Sequence, residues 1–153
     1  MNTYMQHADN LAIQNLLTNN GGPFGAVIVK NGKIVGKGNN TVLKDKEPTA
    51  HAEINAIRNA CKNLKTYDLT GCIIYTSCYP CPMCLGAIIW SNIKEMYYGN
   101  TKEDAANIGF RDDMIYKYIS KKDSKILKET QLDREHTIKT FNKFTEKKDK
   151  TIS

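Results

Sequence analysis

The apolar positions of this chain change period several times, and each change marks an element. Met5, Ala8, Ala12 and Leu16, with Leu11 beside them, recur at helical spacing and predict a helix over 4–17. Asn19-Asn20-Gly21-Gly22-Pro23 ends it. Two short β-branched runs, 25–29 and 33–35, flank Asn31-Gly32, the dipeptide that best accepts a tight hairpin turn. The Ala- and Ile-rich stretch 50–63 predicts a second helix, with Thr49 as its cap after Pro48. Residues 72–77 suit a buried strand, and Pro80 is expected in the first turn of a helix continuing over 81–91. A short strand over 94–98 and helical pieces over 101–107 and 112–119 follow, then a strand over 125–132. Asp133 is the expected cap of a last amphipathic helix, 135–148, with Ile138, Phe141 and Phe144 on one face. Strands alternating with helices predict an α/β layered domain with helices on both sheet faces.

Composition narrows the class without changing this picture. The chain has 153 residues, 41% apolar and 25% charged, which suits one soluble globular domain spanning 1–153. Its net charge of +6 is spread evenly, with 9 basic and 6 acidic side chains in residues 1–100 and 13 and 10 beyond. The densest basic run, Lys117, Lys121, Lys122, Lys125 and Lys128, reads as a solvated face or as a footprint for phosphates. Charge alone does not choose between them. The N-terminal stretch has no basic start and no long apolar run, so neither a signal peptide nor a membrane span is expected. A cytoplasmic address is the expectation. Three of the five cysteines fall within seven residues, which in a reducing compartment points to metal or catalysis rather than disulfides.

Two short motifs carry the chemistry. His51-Ala52-Glu53 stands at the start of the second helix, and Pro80-Cys81-Pro82-Met83-Cys84 at the start of the third. Cys81 and Cys84, three residues apart in a first turn, can turn both sulfurs to one ion, and a helix N-terminus favours the thiolate that binds metal. His51 offers a third ligand. Three protein ligands leave the fourth tetrahedral position open, the mark of a catalytic zinc site. Such an ion acidifies the water it binds, and Glu53 is placed to move the proton. Each motif alone says little: C-x-x-C also serves redox and structural sites. Ile88 stands where an iron–sulfur run would need another Cys. A structural site on Cys78, Cys81 and Cys84 would leave His51 and Glu53 idle. Together, H-x-E and P-C-x-x-C form the signature of zinc nucleobase deaminases.

The segments GGPFGAVIV (21–29), PTAHAEINAIR (48–58) and YTSCYPCPMCLGAIIW (75–90) resemble the cytidine-deaminase-like superfamily. DAANIGFRDDMIY (104–116) resembles its bacterial guanine deaminase branch. The resemblance implies a three-layer α/β/α fold with a mixed five-stranded sheet, one zinc ion per chain and a homodimer. It implies hydrolytic loss of an exocyclic amine from a free purine base, guanine to xanthine plus ammonia. By position, His51, Cys81 and Cys84 match the zinc ligands and Glu53 the proton shuttle. Asn40 and the backbone of Ala52 match groups that hold the base, Phe24 an aromatic against its face, and Asp112 an acid reading its edge. Tyr79 departs from the Glu common in the branch, and the chain ends in Lys150-Thr-Ile-Ser153 rather than in an aromatic residue. Both departures bear on the substrate. A tRNA adenosine deaminase and a non-catalytic zinc-stabilised interaction module are the alternatives. The first would use the 117–128 lysines, and the second would ask nothing of Glu53. The favoured partner is therefore a small purine, without nucleic acid or membrane.

Overall fold

The computed structural model describes residues 1–153 and divides them into two compact units, Met1–Tyr116 and Lys117–Ser153. The first opens with helix α1 (Thr3–Gln14), whose N-terminus is capped by the Asn2 side chain accepting from the Tyr4 and Met5 N–H groups. α1 ends short of the expected 17, leaving Leu16 and Leu17 exposed. Strands β1 (Gly25–Lys30) and β2 (Lys33–Asn39) form the expected hairpin. Asn31 and Gly32 both take positive φ angles, 51° and 78°, which is the primed turn that this dipeptide allows. A short helix α2 (Val42–Asp45) precedes α3 (Ala52–Leu64). Strand β3 (Ile73–Cys78), helix α4 (Pro82–Trp90), strand β4 (Glu95–Asn100) and helix α5 (Lys102–Asn107) follow. Helix α6 (Asp113–Lys121) begins in this unit.

The sheet order is β2-β1-β3-β4, with β1 antiparallel to both neighbours and β3 parallel to β4. It is mixed, as expected, but has four strands rather than five. The missing strand is the one expected over 125–132, where the chain forms turns and irregular backbone with every residue exposed. Only three of those eight residues are apolar, and without a ladder partner β-propensity alone does not make a strand. The second unit otherwise contains the rest of α6 and helix α7 (Arg134–Glu146). Asp133 precedes α7 as expected, but its side chain makes no capping bond. Phe141 and Phe144 are exposed.

Strand alternation sorts the core of the first unit onto two faces. Ala26, Ile28 and Ile74 pack with Ala52, Ala56 and Ala60, a stripe one helical turn apart along α3. Val27, Val29 and Tyr75 point the other way, against Tyr4, Met5 and Leu11 of α1. Helices therefore cover both sheet faces in an α/β/α sandwich. Burying Ile28, Leu69 and Ile74 fully contributes about 1.5–3 kcal/mol apiece. The small residues of α3 matter for a second reason. Gly36 and Gly38 of β2 lie directly against it, so the helix seats close to the sheet, and its first turn carries the site.

Candidate active site

The site assembles where α3 and α4 begin. The caps differ from expectation. His51, not Thr49, is the N-cap of α3, and Thr49 instead bonds the Glu47 carboxylate with its N–H and its hydroxyl. Helix α4 begins two residues later than expected, with Cys81 as its N-cap and Pro82, not Pro80, in the first turn. Both cap residues have extended backbone and neither side chain caps its own helix. Each is therefore available to a ligand, while Cys84 sits one turn into α4. The Nδ1 atom of His51 lies 3.6 Å from the sulfurs of both Cys81 and Cys84, and the three donor atoms fall within 4.8 Å of one another. A tetrahedral ion with zinc–sulfur and zinc–nitrogen bonds of about 2.3 and 2.0 Å sets those atoms about 3.6 Å apart. The donor set fits zinc in kind and in spacing.

Electrostatics agree with a cation site. The Cys81 thiol is driven far down, to about 4, chiefly by the hydrogen bond from Cys84 and then by His51. The same bond and burial push Cys84 up, so the pair holds one proton between them. Pairing with Cys81 also raises His51. Glu53, only 6% exposed, is raised chiefly by burial. Burial likewise pushes the neighbouring Cys78 thiol up to about 11, and its sulfur is not among the three clustered donor atoms.

A cavity of about 440 Å³ opens over these groups. His51, Glu53, Cys78 and Cys81 line it together with Phe24, Asn40, Tyr79 and Asp112, so residues up to 88 positions apart in the chain are brought to one wall system. Asn40 is partly a turn residue, since its side-chain oxygen accepts from the Val42 N–H. Its amide nitrogen donates to no protein group, and the residue stays buried. Asp112 is raised in pKa, first by burial and then by Cys81. Ala52 and Cys84 are fully buried and do not line the cavity. Sequence reasoning missed Phe110, which also lines it and meets Phe24 edge-on at 4.9 Å. The Gly109-Phe110 pair following a short helix was its only local sign.

A family model described as the cytidine and deoxycytidylate deaminase zinc-binding region matches residues 1–100. With the His51–Cys81–Cys84 cluster, this settles the class: the chain belongs to that zinc-dependent deaminase family. Guanine deaminase of Bacillus subtilis (strain 168) is 53% identical over 119 residues, 78% of this chain and 76% of that protein. The X-ray structure of guanine deaminase from Bacillus subtilis matches with a TM-score of 0.93 at 44% identity, covering 99% of each chain. The tRNA-specific adenosine deaminase of Aquifex aeolicus is 46% identical over 76 residues, 50% of this chain and 50% of that one.

Proposed function

We propose that this chain is a zinc-dependent hydrolytic deaminase of a free purine base, converting guanine and water to xanthine and ammonia. The observation that carries the reading is the cavity itself. Its floor holds the Glu53 carboxylate beside a His–Cys–Cys donor set, and its apolar walls fit one planar heterocycle. His51, Cys81 and Cys84 would hold one zinc ion per chain, which supplies an acidified water when bound. Glu53, buried and raised in pKa, would relay the water's two protons in turn, one to a ring nitrogen and one to the leaving amine. The exocyclic C–N bond breaks as the C–O bond forms. Phe24, braced by Phe110, stacks on the base, and Asn40 holds it. Asp112 reads its edge. The likeness to Bacillus subtilis guanine deaminase over nearly the whole chain supports guanine over the tRNA alternative, whose likeness covers half. Residues 1–153 act as one deaminase domain in this reading, working in the cytoplasm as a homodimer. No helix is long and apolar enough to cross a membrane.

The test is ammonia release from guanine, adenine, cytosine, guanosine and a tRNA anticodon hairpin, at low and moderate salt. Guanine turnover with a nearly flat salt response is expected, because a free base brings no phosphates. Turnover of the hairpin alone, falling steeply with salt and lost when Lys121, Lys122 and Lys125 are neutralised together, would replace guanine by RNA.

A further inference from the structure

One side-chain polar atom is buried without a hydrogen-bond partner. It is the hydroxyl oxygen of Tyr116. A phenol can donate and accept, and shutting it from water unpaired costs free energy, so its retention asks for a reason. Its surroundings supply one. Tyr116 lies one helical turn after Asp112, and its N–H reaches the Asp112 carbonyl oxygen at 3.4 Å, so the two side chains share a helix face. The Tyr116 ring is clamped from outside: the Lys102 ammonium sits 4.6 Å from its centroid and 5.1 Å from that of Tyr79. Tyr79 lines the cavity and meets Tyr98 edge-on at 5.0 Å. The ring therefore has little freedom, and burial above all raises the pKa of its hydroxyl, so it stays a donor.

We propose that Tyr116 is a positioning residue for Asp112, its hydroxyl donating to the Asp112 carboxylate when a base fills the cavity. This rests on the reading of Asp112 as the acid that meets the purine edge. A base entering the cavity strips water from that carboxylate, and a stripped carboxylate needs a donor held ready nearby. A hydroxyl left unpaired in the free protein and satisfied in the complex puts its binding contribution into recognition rather than stability.

The experiment is a double-mutant cycle of Tyr116→Phe and Asp112→Asn, read by steady-state kinetics on guanine together with thermal melts and zinc content. Tyr116→Phe keeps the ring under Lys102 and should melt at or above the parent temperature with full zinc. Its kcat/KM should fall about tenfold, mostly through KM, the size of one charge-assisted hydrogen bond. In the Asp112→Asn background the same change should add little. Parent kinetics in Tyr116→Phe, losses that multiply in full, or a melt well below the parent each overturn the proposal. A parent protein inactive on guanine refutes instead the substrate reading on which it stands.

Discussion

Gly38→Ala tests whether the close seating of α3 on β2 holds the site together. A Cβ built at Gly38 would lie 2.4 Å from the Ala52 carbonyl oxygen and 2.5 Å from the Ala56 nitrogen. Ordinary contact begins at 3.4 Å, so the helix must withdraw by about 1 Å. Both opposing atoms are backbone and cannot rotate aside. Overpacking of this kind costs about 2–3 kcal/mol, which for a chain of this length lowers Tm by about 4–12 °C. The same shift moves the first turn of α3, with Glu53 inside it and His51 at its cap. A displacement near 1 Å in a reacting group costs about 10² in rate. Gly86→Ala is the control. Nothing lies within 4 Å of its Cβ position in α4, so helix propensity alone should raise stability by about 0.5–1 kcal/mol. Calorimetric melts and ammonia release well below Tm read both effects. If Gly38→Ala melts with the parent and keeps its kcat/KM, the helix does not owe its position to this contact.

Other consequences follow from the same geometry. Cys81→Ala and Cys84→Ala should each lose zinc by elemental analysis, whereas Cys61→Ala and Cys72→Ala, outside the donor cluster, should keep it. Glu53→Gln should keep zinc and fold but lose about 10²–10⁴ in kcat, because an amide cannot relay a proton; parent turnover would remove Glu53 from the mechanism. Asp104 closes a capping box with Thr101 at the start of α5, and the Thr101 N–H above all holds its carboxyl below the usual carboxylate pKa. A lowered folded-state pKa means that this stabilisation is complete above about pH 4 and drains away as pH falls through the lowered value. Amide exchange in α5, corrected for intrinsic rates, should therefore quicken on acidification in the parent and stay level in Asp104→Asn.

Much of this protein was legible from short-range chemistry. Asn31-Gly32 specified its hairpin because only residues tolerant of positive φ can make a two-residue turn. Cys81 and Cys84 announced a shared ligand because a first helical turn brings residues three apart to one side, and His51-x-Glu53 supplied the complementary half. Local signals placed the α3 cap two residues early, since Thr49 is as good a cap as any until Glu47 takes its hydrogen bonds. They also suggested a strand over 125–132, where Ile126, Leu127 and Leu132 are the only apolar residues and no partner backbone pairs with them. What no local pattern could hold is the wall of the cavity. Phe110 reaches Phe24 across 86 positions, and Tyr116 comes to share a lysine with Tyr79, only because the start of β1, the end of β3 and the helices after them meet at one end of the sheet. Ligand spacing is set by one turn of backbone, so it is written in consecutive residues. Recognition of a planar base needs groups on several sides of it, and only the folded chain can put them there.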